Sequence, residues 1–185
     1  MPIFSLTPHQ ASPQSSVGSI SADVRLIAPA ALEVRYRAAG AIGEIVAPVI
    51  ASPERKDELW LHTCFEAFLR PAGAEEYLEL NFSPSTQWAA YHFDAYREGM
   101  TAAVECASPK IEIFKSKTEL ELRATLDLRW MKGAVLKSPL RLALSAVIEE
   151  RDGAKSYWAL AHAAGKPDFH HPASFIGELK REPRA

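Results

Sequence analysis

Two glutamates lie on neighbouring predicted strands, where their carboxyl groups could bind hydroxyl groups or exchange protons. Residues 64–69 (CFEAFL) and 77–82 (YLELNF) are joined by a short loop, so we expect them to pair as antiparallel strands. Because side chains alternate between the two faces of a strand, this pairing places Glu66, Glu79 and Asn81 on one face. Two carboxylates and an amide suit hydrogen bonding to a polyhydroxylated ligand. A partly solvated sheet face with ordinary cross-strand pairs is the alternative.

The same two carboxyl groups could also catalyse hydrolysis of a glycosidic bond. A glycosidase needs two carboxyl groups about 5–10 Å apart across a cleft, and Glu66 and Glu79 meet this distance if their strands are adjacent. A binding site needs only hydrogen-bonding groups from these residues. We therefore expect a non-catalytic protein and keep a glycoside hydrolase that uses Glu66 and Glu79 as an alternative.

Two tryptophans accompany these strands. Trp60 precedes the first of them, and Trp158 lies on a further predicted strand at residues 155–162. An indole ring offers a flat apolar surface that stacks on the C–H face of a sugar, but large aromatic residues also fill protein cores. The residues alone leave both roles open.

A histidine-rich segment near the C-terminus offers nitrogen and oxygen ligands for a metal. It contains His162, Asp168, His170 and His171, with prolines on both sides of the last three. The spacing matches no known metalloenzyme pattern, and adjacent histidines in an extended chain point to opposite sides. We expect no metal and no other cofactor; haem or a divalent metal ion is the alternative.

The elements that must position these side chains are predicted to be strands. Apolar and polar residues alternate with period two, and no stretch of ten or more residues shows a convincing helical period. Tight hairpins are expected at residues 115–118 and 151–154, the latter with an Asp-Gly type I′ turn, and short helices at 53–58 and 127–132. The expected fold is an all-β, antiparallel sandwich of jelly-roll or immunoglobulin-like type. Its nine or so strands cover residues 20–27, 32–38, 64–69, 77–82, 88–93, 111–114, 120–126, 140–148 and 155–162.

Composition excludes several classes of function. The chain has 185 residues, 48% of them hydrophobic and 24% charged, with a formal net charge of −2, which fits one ordinary globular domain. This charge provides no broad basic surface for nucleic acid or an anionic membrane. A small molecule is the expected partner, and a sheet face or edge could dock a protein or a second copy of the chain.

Sequence features also bear on the compartment. No signal peptide and no run of about 18 apolar residues is seen, so we expect a cytoplasmic protein. Cys64 and Cys106 have no CxxC spacing, and in a reducing compartment they are expected to be free thiols.

Two segments carry a family resemblance. Residues 59–71 (LWLHTCFEAFLRP) and 77–84 (YLELNFSP) resemble the DOMON-like superfamily, in the branch related to family nine carbohydrate-binding modules. In that branch a Trp is followed six positions later by an acidic residue, a spacing that Trp60 and Glu66 keep. Residues 157–172 (YWALAHAAGKPDFHHP) look like the C-terminal hallmark of bacterial DOMON-like proteins.

The resemblance implies a β-sandwich that binds a sugar or, in other branches, a b-type haem. It implies that Trp60 and Trp158 enclose a sugar between them, with hydrogen bonds from Glu66 and Asn81. One departure from the family's motif is Thr63, where an Asp is common. The expected domain spans residues 20–176, between a partly flexible segment at 1–19 and a tail at 177–185.

Overall fold

The computed structural model describes residues 3–27, 30–131 and 139–179. These residues form twelve strands, which are β1 (Ile3–Pro8), β2 (Val17–Ile27), β3 (Ala31–Gly40), β4 (Cys64–Pro71), β5 (Tyr77–Phe82), β6 (Trp88–Phe93), β7 (Thr101–Ala102), β8 (Lys110–Lys115), β9 (Glu119–Asp127), β10 (Leu140–Glu149), β11 (Lys155–Ala159) and β12 (Gly177–Leu179). Short 3₁₀ turns occupy Ile42–Glu44, Leu59–Leu61 and Pro172–Ser174.

The strands form one antiparallel sheet that curls back on itself. Its order is β7-β6-β5-β4-β10-β11-β1-β2-β3-β9-β8, and β12 pairs with β10. Strand β1 connects the two parts of the curled sheet, because Ile3–Leu6 pair with β2 while Thr7 and Pro8 pair with β11. We call β2, β3, β8 and β9 the first half-sheet and β4, β5, β6, β7, β10 and β11 the second half-sheet. The architecture is nearly all-β and consistent with a β-sandwich.

The main core lies between the two half-sheets. Tyr36 of β3 stacks on Phe65 of β4 with their ring centroids 5.0 Å apart, and both side chains are fully buried. Tyr36 also donates a hydrogen bond from its hydroxyl to the backbone carbonyl of Glu66. Burial of one such side chain stabilises the fold by about 1.5–3 kcal/mol. The inward-facing residues of the second half-sheet therefore belong to the core.

A second apolar cluster covers the outer face of the second half-sheet. Its buried members are Leu59, Cys64, Phe68, Tyr77, Ala89, Tyr91, Phe93, Ala143 and Phe175, with Trp60 and Phe169 packed against them. Strand alternation explains the separation, since Phe65 and Leu69 of β4 face the core while Cys64 and Phe68 face outward. An outer sheet face that carries buried apolar groups is covered by loops, here those that contain Trp60 and Phe169.

All nine predicted strands are present, and the predicted hairpins join β8 to β9 and β10 to β11. At the second hairpin Gly153 has a φ of +86° and Asp152 does not have a positive φ, so the turn is not type I′. Residues 53–58 are not helical, and residues 127–131 continue β9 into a turn, which corrects both helix predictions. Lys132 lies outside the described residues.

The sheet extends beyond the range expected from the sequence. Strand β1 and the start of β2 come from the segment expected to be partly flexible, and β12 comes from the predicted tail. Ser15 and Ser16 are held by hydrogen bonds to the Glu150 carboxylate, at 2.8 Å and 2.7 Å from their hydroxyl groups. The rest of the tail, residues 180–185, lies outside the described residues. Within the described ranges, no helix has the length and apolar character needed to cross a membrane.

Candidate functional site

A cleft of about 410 Å³ opens on the outer face of the second half-sheet. Its polar lining residues are Glu66, Glu79, Arg97, Lys155 and His170. Its aromatic lining residues are Trp60, Phe93, Tyr157 and Phe169, and Leu61, Met100, Val147 and Pro167 complete it. This combination of apolar walls and a few convergent polar groups is typical of small-molecule sites.

Glu66 and Glu79 form the floor of the cleft. Glu66 of β4 pairs with Asn81 of β5, and Glu79 is two residues from Asn81, so the two glutamates are diagonal neighbours on one face. Diagonal neighbours in a sheet are about 7–8 Å apart, a distance that two glutamate side chains can span. Glu66 is 3% exposed and Glu79 is 4% exposed. The predicted placement of these residues on one face is therefore what the structure shows.

Few hydrogen bonds support the two carboxyl groups. The Ser145 hydroxyl donates to Glu66 Oε2 over 3.2 Å, and Asn81 Nδ2 donates to Glu79 Oε1 over 2.7 Å. No described residue donates to Glu66 Oε1. The Asn81 amide oxygen is buried and also has no partner among the described residues. The floor therefore keeps unused hydrogen-bonding capacity.

Burial favours the neutral form of both acids. It raises the pKa of Glu66 well above its usual value, and the nearby charge of Glu79 raises it further. Burial raises the pKa of Glu79 to about 7, although the hydrogen bond from Asn81 and the charge of Arg97 oppose this shift. A neutral carboxyl group can donate as well as accept a hydrogen bond, as a sugar hydroxyl does.

His170 lies above Glu79 but does not neutralise it. Its Nε2 is 3.8 Å from Glu79 Oε2, too long for a hydrogen bond. Its Nδ1 is 2.8 Å from the Tyr77 hydroxyl, which also accepts a hydrogen bond from the Arg97 backbone N–H. Burial, with the charge of Arg97, lowers the pKa of His170 to about 4. The imidazole is therefore neutral near pH 7.

Asp168 joins the two loops above the cleft. Its carboxylate accepts hydrogen bonds from Arg97 Nη2 at 2.8 Å and Nε at 3.2 Å, and from the Tyr96 hydroxyl. It also accepts the backbone N–H of His170 at 3.1 Å. Asp168 thus acts as a latch between the β6–β7 loop and the loop that follows β11.

Aromatic side chains flank the acidic floor. Trp60 meets Tyr91 edge to face with their ring centroids 5.8 Å apart, and Tyr157 meets Phe169 at 6.2 Å. Tyr91 is fixed by a hydrogen bond from its hydroxyl to Asp57 Oδ1 at 2.6 Å. Trp60 is half-buried and lines the cleft, so part of its indole surface is open to a ligand.

Trp158 lies on the opposite face of the sheet, and the expected pairing of Trp60 with Trp158 around one ligand is not retained. Trp158 is 4% exposed within the core between the half-sheets, and its indole N–H donates to the Ser156 hydroxyl at 2.9 Å. Strand alternation places the preceding residue, Tyr157, in the cleft instead.

The remaining candidates do not line the cleft. Asn81 shares the face of Glu66 and Glu79, where its amide N–H donates to Glu79 and its amide oxygen has no partner among the described residues. His162 Nε2 forms a hydrogen bond with the backbone carbonyl of Thr7 in β1, and His171 Nδ1 accepts the Ala173 N–H at a 3₁₀ turn. Neither histidine lines the cleft. Across residues 3–27, 30–131 and 139–179, no group of three or more His, Cys, Asp or Glu side chains could hold a metal ion.

Several lining residues were not anticipated from the sequence. They are Phe93, Arg97, Met100, Lys155, Tyr157 and Phe169. Tyr157 and Lys155 could have been found, since they alternate with the core residues of β11. Arg97 has no such signal, because it lies in a loop with a φ of +57°, in the left-handed region that few non-glycine residues adopt.

Comparisons with known proteins show a shared fold. No protein-family model matches the sequence, and no curated protein matches it. A protein of Bacteroides uniformis that is proposed to bind carbohydrate has a similar structure, with a TM-score of 0.58 and 15% identity over 97% of this chain and 87% of that chain.

A family nine carbohydrate-binding module of Caldicellulosiruptor kristjanssonii is also similar, at 13% identity in both of its complexes. Its complex with glucose gives a TM-score of 0.50 over 94% of this chain and 81% of that chain. Its complex with cellotriose gives 0.52 over 98% and 83%. The chain therefore has the fold of carbohydrate-binding proteins.

Proposed function

We propose that the cleft binds a small carbohydrate or the end of a glycan without catalysis. The observation that carries this proposal is a pair of almost fully buried carboxyl groups on the floor of a cleft with aromatic walls. Sugars present apolar C–H faces and hydroxyl groups together, so they match both features of the cleft. The fold shared with carbohydrate-binding proteins supports the same conclusion.

Trp60 is proposed to stack on the sugar while Glu66 and Glu79 bind its hydroxyl groups. Burial favours the protonated form of both carboxyl groups, in which each can donate to one hydroxyl and accept from another. Arg97 and Lys155 add donors at the side of the cleft. We further propose that the chain is a DOMON-like domain, because the spacing of Trp60 and Glu66 occurs within this fold.

A second candidate function is glycoside hydrolysis, favoured by the pKa of about 7 at Glu79, which suits a general acid. The geometry favours binding instead. A hydrolase places its two carboxyl groups on either side of the bond that is broken, whereas Glu66 and Glu79 lie side by side on one floor. Turnover of aryl-glycosides that is lost in Glu66→Gln would support hydrolysis over binding.

Isothermal titration calorimetry with glucose, cello-oligosaccharides and other small sugars tests the binding proposal. We expect saturable binding by the wild-type protein and a loss of more than tenfold in affinity in Trp60→Ala, as for a central aromatic contact. Trp130→Phe is the matched control, since Trp130 lies outside the cleft and should not affect affinity. Absence of binding to every sugar would contradict the proposal.

A further inference from the structure

The two acids on the floor have no cation of their own among the described residues. His170, the nearest basic side chain to Glu79, is neutral near pH 7. Arg97 lines the cleft and faces both acids, but its guanidinium group is bonded to Asp168. Lys155 of β11 also lines the cleft, but no ion pair joins its side chain to Glu66 or Glu79. Of the other titratable groups near the acids, Tyr77 and Cys64 carry no positive charge, and burial raises the pKa of both.

The hydrogen bonds within the protein do not satisfy all the carboxyl oxygens of Glu66 and Glu79. Glu66 lines the cleft and is only 3% exposed, yet its Oε1 receives no hydrogen bond from a described residue. Glu79 Oε2 has only the distant His170 as a neighbour, at 3.8 Å. Each of these two lining residues therefore has one carboxyl oxygen without a hydrogen-bond donor among the described residues.

We propose that the ligand of this cleft carries a protonated primary amine, as an amino sugar does, and that its ammonium group lies between Glu66 and Glu79. This inference rests on the proposed function. An ammonium group has three N–H donors and a full positive charge, so it can serve both acids at once. The positive charge of the ammonium group favours the ionised form of both acids, which burial alone disfavours. Each contact is then a charge-assisted hydrogen bond, about twice as strong as a neutral one.

The walls of the cleft suit the same group. Trp60, Phe93, Tyr157 and Phe169 present aromatic rings to the cleft, and the faces of such rings attract cations. A hydroxyl group gains little from this attraction because it carries no charge. The sugar ring would stack on an aromatic side chain while the ammonium group reaches the floor.

Calorimetry with four compounds on the full chain near neutral pH tests this proposal. We expect glucosamine to bind at least about tenfold more tightly than glucose, because two of its contacts become charge-assisted. N-acetylglucosamine, whose nitrogen is uncharged, should bind no better than glucose. Equal affinities for glucosamine and glucose would overturn the amine proposal and leave carbohydrate binding standing.

Putrescine, a diamine without a sugar ring, separates the two proposals. We expect it to bind more weakly than glucosamine, because it cannot stack on the aromatic walls. If putrescine and glucosamine bind equally and glucose does not bind, the ammonium group is recognised and the carbohydrate function is overturned. If neither glucosamine nor putrescine binds but glucose does, only the amine proposal fails.

Two conservative variants locate the contact. Glu79→Gln and Glu66→Gln keep the shape of the floor but cannot become negatively charged, so each should reduce the preference for glucosamine over glucose towards one. Glu76→Gln, which removes an exposed carboxylate outside this cleft, is the control and should keep the wild-type preference. If both floor variants keep the wild-type preference for glucosamine over glucose, the proposal is overturned.

Discussion

Glu79 couples its own protonation to the stability of the protein. Burial raises its pKa from a usual value of 4.5 to about 7, so between these two values the folded chain holds a proton that the unfolded chain has released. The stabilising effect of this proton is fully present below about pH 4.5 and is lost as the pH rises to about 7. Glu66 acts in the same direction, because burial raises its pKa as well.

We therefore expect Glu79→Gln to become more stable relative to the wild type as the pH rises from about 4.5 to about 7. Urea unfolding of both proteins at several pH values measures this difference. The comparison with the wild type is needed because the pKa of His170 is lowered to about 4. This shift makes the free energy of unfolding rise with pH, opposite to the effect of Glu79. A difference in the free energy of unfolding that is constant with pH would contradict a buried proton at Glu79.

Trp158 is predicted to be a structural residue. Because its side chain is buried in the core, Trp158→Ala should lower the free energy of unfolding by about 3–5 kcal/mol. Trp60→Ala should cost clearly less, since Trp60 is half-buried on the outer face. Denaturant unfolding measures both, and equal costs would contradict the assignment of the two tryptophans to different faces. Trp158→Phe, which keeps most of the core volume, should retain ligand binding.

At the scale of elements, the loops above the cleft depend on the Asp168 latch. Asp168→Asn keeps the shape of the side chain but removes the charge that holds Arg97. We expect faster hydrogen exchange at residues 94–100 and 167–171 and a several-fold loss of ligand affinity, since His170 and Arg97 are no longer held over the floor. Asp152→Asn in the β10–β11 hairpin is the control. Unchanged exchange in both loops would show that the latch is dispensable.

Strand periodicity accounts for the part of the site that could be predicted. The alternation in β4 and β5 placed Glu66 and Glu79 together, because a paired strand has only two faces. It does not say which face is the core, and the family resemblance alone placed Trp158 in the site, whereas the side chain lies in the core. Strand β1 was missed because its six residues end in proline and depend on pairing with β2 and β11. Arg97 and Phe169 lie in loops, whose positions depend on long-range contacts that no local period reveals.

At the scale of the whole molecule, β1 makes the two half-sheets one cooperative unit. Its first residues pair with β2 and its last residues pair with β11, and the Tyr36 hydroxyl bonds across the core to β4. We therefore expect one thermal transition in which the calorimetric and van't Hoff enthalpies agree. Two resolved transitions, or an enthalpy ratio far from one, would mean that the half-sheets unfold independently.

The alternation of side chains along β4, β5 and β11 has a consequence for how specificity can change. Residues that contact a ligand and residues that fill the core occupy alternate positions of the same strands, so a substitution at Lys155 or Tyr157 leaves Ser156 and Trp158 in place. A combinatorial library restricted to outward-facing positions would vary recognition while keeping the core intact. Natural divergence can follow the same route, and proteins of this architecture can acquire different ligands without the loss of stability that accompanies core mutations.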